Sequence, residues 1–126
     1  MSSYSVKTGH DAALLDLVSM TPQPRSTGVQ VARRGYAASG AVIEEGNYII
    51  LQWSVINSVT DWNTLLSQFG LGSALYAEVT VYAPNHLFSY TRYNGTAIRP
   101  QIGVDVQRTN FFIRNVCMVI RDMVSL

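Results

Sequence analysis

The stretch Ala74 to Pro100 reads ALYAEVTVYAPNHLFSYTRYNGTAIRP, and its patterning decides the fold class. Leu75, Ala77, Val79 and Val81 alternate with Tyr76, Glu78, Thr80 and Tyr82. A period of two, carried by β-branched and aromatic residues, predicts a strand buried on one face. Pro84-Asn85-His86 breaks the pattern, because proline lacks a ladder donor and asparagine accepts turn conformations. A second strand is predicted over Leu87 to Tyr93, ended by Asn94-Gly95. That dipeptide is a strong hairpin signal, since a type I′ turn needs two residues that tolerate positive φ. The stretch therefore reads as an antiparallel meander of strand, turn, strand, tight turn and short strand.

The flanking segments follow the same logic. Val29 to Arg34 alternates like a strand, and Gly35 and Gly40 bracket a bulged piece that carries Tyr36. Ala41 to Glu44 leads into a turn at Glu45-Gly46-Asn47. Tyr48 to Ile56 is apolar on both faces, as expected of a strand in the middle of a sheet or against a partner. A helix is predicted after Ser58: Trp62, Leu65, Leu66 and Phe69 recur at i, i+3, i+4 and i+7, Asp61 suits the positive helix end, and Gly70 suits the stop. Val104 to Gln107 reads as a short edge strand. Phe111 to Ile120 reads as a final apolar strand interrupted by Arg114 and Asn115.

Toward the N-terminus, Met1 to Thr8 reads as an extended lead, the DAALLDLVSM run as a short helix with a strand as the alternative, and Thr21 to Gly28 as irregular because its prolines fix φ. The expected organisation is an N-terminal lead or arm over residues 1–28 and a β-rich domain over 29–126. The expected fold is mainly β, an antiparallel sandwich or barrel of six to eight strands with one packed α-helix.

The 126 residues are 48% hydrophobic but only 13% charged, against ~25% in ordinary soluble domains. Ser, Thr, Asn, Gln, Gly and seven tyrosines must cover the surface instead. So little charge defends poorly against association and predicts a surface covered by other protein; a secreted domain with a neutral polar exterior is the alternative. The cations are Arg25, Arg33, Arg34, Arg92, Arg99, Arg108, Arg114 and Arg121, with Lys7 the lone lysine. Arginine is enriched at protein interfaces and lysine depleted. A net charge of +1 is small for a nonspecific nucleic-acid binder. No segment has the regions of a signal peptide or the ~20 apolar residues of a membrane span, so synthesis in a reducing cytoplasm is expected.

Candidate chemistry is sparse. His10 and His86 each lack the clustered ligands of a zinc site. Cys117, the single cysteine, sits among Val116, Met118 and Val119 and reads as a small hydrophobe. Glu78 could pair with Arg92 across the hairpin. Asn94-Gly95-Thr96 matches a glycosylation sequon, but without a secretory signal the hairpin reading takes precedence. Catalytic, metal and cofactor residues are therefore expected to be none. The residues expected at protein contacts are Arg33, Arg34, Tyr36, Tyr90, Arg92, Tyr93 and Arg99, with tyrosine giving rigid area and arginine bridging carbonyls and carboxylates. The same interleaved aromatics and arginines could stack bases, so a small β-barrel binding single-stranded nucleic acid is the alternative function. A carbohydrate-binding sandwich would also use exposed aromatics.

The helix TDWNTLLSQFGL, the strand ALYAEVTVY, the segment RYNGTAIRP and the closing FFIRNVCMVIRDM together resemble small structural proteins from the tail or neck of tailed bacteriophage virions. The pieces that carry the resemblance hold 43 of the 126 residues. It implies a β subunit in a symmetric ring, without catalysis, joined to copies of itself and to other virion proteins through arms and loops. It implies a virion location after synthesis in the bacterial host cytoplasm. It defines no site residues; the N-terminal lead and the Asn94-Gly95 hairpin would be contact elements by position.

Overall fold

The computed structural model describes residues 3–31, 33–36, 38–56, 58–85, 87–100, 107–108 and 113–126. His86, Gly103, Val104 and the Phe111-Phe112 pair lie outside the described residues. In chain order the strands are β1 (Ser5–Thr8), β2 (Val18–Ser19), β3 (Arg33–Tyr36), β4 (Val42–Glu45), β5 (Ile49–Ile56), β6 (Tyr76–Pro84), β7 (Tyr90–Ile98), β8 (Gln107–Arg108) and β9 (Ile113–Ser125). The helix α1 (Val59–Gln68) joins β5 to β6. The main sheet has the order β2-β1-β6-β7-β9-β5, with β8 also paired to β9, and every pair is antiparallel. The fold is thus mainly β, a curled sheet with one helix.

The helix forms as its sequence dictates. Ser58 caps it by accepting a hydrogen bond from the Asp61 N–H at 3.1 Å. Trp62, Leu65 and Leu66 are buried on its inner face, Phe69 follows them into the core, and Gly70 leaves with φ +73°. This stripe meets Val79, Val81 and Ala83 of β6, Ile49, Leu51 and Trp53 of β5, and Val116, Met118 and Ile120 of β9 in one cluster.

The tight turn expected at Asn94-Gly95 is not there. Both residues lie inside β7, which pairs without interruption from Tyr90–Pro84 to Ile98–Tyr76. The reversal between β6 and β7 lies at 85–89, close to the expected Pro84-Asn85-His86 break; there the Asn85 side chain accepts from the Leu87 N–H (2.8 Å) and the Ser89 N–H (3.1 Å) and Phe88 takes φ +61°. Gly95 answers a different demand. On its far side β9 is out of register by one: Asn94 pairs with Val124, Thr96 with Arg121. Asp122 and Met123 therefore oppose Gly95 alone, with Asp122 at φ +54°, a β-bulge. A Cβ on Gly95 would stand 2.7 Å from the Ile120 Cγ2.

Three further expectations change. The helix expected over the DAALLDLVSM run is one 3-10 turn at Leu14–Asp16 followed by β2. Ala13 supplies no capping side chain and none of the three residues is buried, so a longer helix would gain neither cap nor core. β5 ends the order of the sheet rather than lying in its middle, and its outer edge is met by bridges from Arg25 to Gln52 and from Gln30 to Tyr48. Glu78 faces Thr96, whereas Arg92 faces Tyr82.

Residues 3–28 contribute to this architecture. Val6 and Met20 are buried, and β1 pairs with β6 along its length. Gln23 braces the segment: its Oε1 accepts from the Tyr4 N–H and its Nε2 donates to the carbonyls of Tyr4 and Met20, all at 2.8 Å. The Trp53 indole N–H donates to the Pro22 carbonyl at 2.7 Å.

Candidate functional site

The seven residues expected at contacts fall into three separate places. Arg33, Arg34 and Tyr36 lie on β3, which among the described residues pairs with β4 as a two-stranded sheet. Register sets Arg33 opposite Glu45 and Arg34 opposite Glu44. At its base Gln30 and Tyr48 exchange backbone hydrogen bonds of 2.7 and 2.8 Å, and the Tyr48 hydroxyl donates to the Gln30 Oε1 at 3.0 Å. Tyr36 is 74% exposed.

Tyr90, Arg92 and Tyr93 share β7 but not a surface. Tyr93 points into the core with 6% exposure, and burial pushes its phenol above the ordinary value of 10.0. Tyr90 is half-buried with its ring edge-on to Tyr4 (5.6 Å between centroids) and tilted against Tyr82 (5.5 Å). Burial first, and then the neighbouring Tyr4, raise its pKa as well. The Arg92 guanidinium donates from Nη1 to the Ala12 carbonyl at 2.8 Å. Arg99 lies beyond the other end of β7, about 30 Å from Tyr90 at strand spacing. It is half-buried, and its N–H donates to the Leu75 carbonyl.

Arg92 belongs to a polar clasp that single-residue reading misses. Thr80 is fully buried; its hydroxyl donates to the Gly9 carbonyl (2.8 Å) and accepts from the Ala12 N–H (3.1 Å). Asn94, directly opposite Thr80, accepts from the Asp11 N–H (2.8 Å) and donates to the Asp11 carboxylate (2.9 Å). The His10 Nε2 lies 3.1 Å from the Gly95 carbonyl. Together these groups pin residues 9–12 across the back of β6 and β7. A signal for the clasp exists in the alternation: with the reversal at 85–89, Thr80, Tyr82, Arg92 and Asn94 share one face.

Among the described residues, no group of three His, Cys, Asp or Glu could hold a metal ion, and no helix is long and apolar enough to cross a membrane. A hollow of about 140 Å³ opens between β1, β2 and the end of α1, lined by Val6, Lys7, Thr8, Val18, Ser67 and Gln68. It is smaller than the ~300–1,000 Å³ of ordinary small-molecule sites. Cys117 is half-buried beside Gln52 on β5 rather than buried in the strand. The base-stacking surface expected on β7 is interrupted, because Tyr93 faces inward and Arg92 is engaged with Ala12.

No protein-family model matches the chain, and no curated protein sequence matches it. Two solved assemblies contain chains with a slight likeness. One is the sheath-tube complex of an extracellular contractile injection system (PVC) in its extended state: 10% identity, 100% of this chain and 90% of that chain covered, TM-score 0.36. The other is the tube-terminating cap of the anti-feeding prophage: 12% identity, 98% and 85% covered, TM-score 0.33. Both are components of multi-subunit particles, and TM-scores this low establish no shared fold with either.

Proposed function

We propose that this chain is a non-enzymatic structural subunit of a virion, a phage tail or neck component, that works by assembling with copies of itself and with neighbouring virion proteins. It would be made in the bacterial host cytoplasm and reside in the particle. One observation carries the reading: on a chain with 13% charged residues, large apolar side chains stand in solvent, among them Leu15, Tyr36, Leu75, Tyr76 and Phe88. Exposed apolar area with little charge around it is the composition of a surface that other protein covers. The β3–β4 ribbon is the contact element that fits best, since a two-stranded sheet gains little stability alone and gains more when packed on a neighbour. Arg33, Arg34 and Tyr36 are its contact residues; Tyr90, Arg92 and Arg99 contribute at the margins of the body.

The test is the triple change Arg33→Ala, Arg34→Ala and Tyr36→Ser. Loss of assembly with an unchanged far-ultraviolet circular dichroism spectrum is expected. Assembly identical to that of the parent chain would overturn the ribbon assignment.

A further inference from the structure

Asn94-Gly95 carries a chemical liability that the fold holds in check. Where asparagine precedes glycine, the glycine backbone nitrogen reaches the asparagine Cγ with no Cβ in the way, and asparagine is thermolabile for this reason. Two restraints oppose that approach here. The backbone of Asn94 and Gly95 is extended inside β7, with Thr80 and Val79 opposite on β6 and Val124 opposite Asn94 on β9. The side-chain amide is held at both ends by one residue: its Oδ1 accepts from the Asp11 N–H at 2.8 Å, and its Nδ2 donates to the Asp11 carboxylate at 2.9 Å. Freed from these contacts, the dipeptide returns to its local preference for a turn.

We infer that Asn94 is a self-modification site: it converts to aspartate or isoaspartate when β7 opens locally, and the conversion prevents residues 9–12 from docking again. This goes beyond the assembly reading and does not depend on it. The Gly95 nitrogen bonds to the Asn94 Cγ, and the side-chain nitrogen leaves as ammonia, carrying off the Gly95 N–H proton. A five-membered imide remains. One water then opens the ring, giving aspartate when it attacks the side-chain carbonyl and isoaspartate when it attacks the main-chain one. Either product replaces the amide that Asp11 holds by a carboxylate, so like charges meet where a 2.9 Å hydrogen bond stood. Isoaspartate also lengthens the main chain of β7 beside Gly95, where a Cβ would already stand 2.7 Å from the Ile120 Cγ2. Asp11, at φ +59°, is the left-handed residue on which the docked segment turns, between Gly9 and Ala12 held by Thr80. Its repulsion from residue 94 therefore works against both of those contacts.

Mass spectrometry of the peptide that carries Asn94 reads the conversion, on the full chain kept at neutral pH with and without urea. The native chain is expected to convert roughly tenfold or more slowly than the unfolded one, since it reacts only through its open fraction. Asp11→Gly keeps the left-handed backbone and removes the carboxylate, and should speed native conversion several-fold. In Asn94→Asp, with folding checked by circular dichroism, amide exchange at Ala12 should run roughly tenfold or more faster than in the parent chain. The converted fraction of aged wild type gives the same exchange reading without a variant. Native conversion as fast as in urea, or unchanged by Asp11→Gly, would overturn the gating by the fold. Ala12 protection equal to the parent's after conversion would overturn the release of residues 9–12.

Discussion

Gly95 and Ile120 approach so closely across the β7–β9 pair that a Cβ on the glycine would lie 2.7 Å from the Ile120 Cγ2, with the Met123 Cγ at 3.2 Å and the Arg121 carbonyl at 3.3 Å. Gly95→Ala is therefore expected to destabilise the protein by about 1–3 kcal/mol through overpacking. Gly72→Ala, where a Cβ meets nothing within 4 Å, is the control and should stay within about 0.5 kcal/mol. Denaturant midpoints of the two variants check this; equal midpoints would contradict the close approach.

Thr80 holds the N-terminal segment on the sheet through its hydroxyl. Thr80→Val keeps the shape but strips the partner from the Gly9 carbonyl and the Ala12 N–H, at an expected cost of about 1–3 kcal/mol. Hydrogen exchange at Ala12 should accelerate before exchange in β7 does. Uniform acceleration throughout would show instead that the clasp does not open on its own.

Ser58 caps α1 through one hydrogen bond to the Asp61 N–H. Ser58→Ala should cost about 1 kcal/mol and Ser58→Asp should recover most of it, measured by thermal or urea unfolding. Phe69, fully buried behind the helix, sets the larger scale: Phe69→Ala is expected to cost about 3–5 kcal/mol.

Tyr90 and Tyr93 are both held above the ordinary tyrosine value of 10.0, so the native state keeps these protons longer than the unfolded chain does. Their contribution to stability is complete below about pH 10 and falls as pH rises past the unfolded value toward the raised native ones. Unfolding midpoints measured from about pH 8 to about pH 11 should be flat and then decline, and Tyr93→Phe should blunt the decline. A flat profile throughout would contradict the burial that causes the shifts.

Much of this fold is legible in the residues. The Trp62-Leu65-Leu66-Phe69 stripe, the Ser58 cap and the Gly70 stop each encode α1 locally, and the alternation of Val79 and Val81 encodes β6. Asn94-Gly95 misleads because its local preference for a turn is overridden by tertiary contacts: Asn94 is held by Asp11, and Gly95 is needed for its small size under Ile120. Glu78 pairs with Thr96 rather than Arg92 because the reversal is centred on residue 87, two positions beyond the Asn85 centre that the Pro84-Asn85-His86 break suggests. The residues expected at contacts do not form one surface. Arg33, Arg34 and Tyr36 do share a strand, Tyr93 takes the face of Val81 opposite it, and the distance of Arg99 follows from β7 running on through Asn94-Gly95.

The most direct measurement of the central claim is light scattering on a sizing column, over a range of protein and salt concentrations. A discrete multiple of the 13.9 kDa chain that persists on dilution is the predicted result. A monomer at every concentration, indifferent to salt, would contradict self-assembly and leave the exposed apolar surface without its partner.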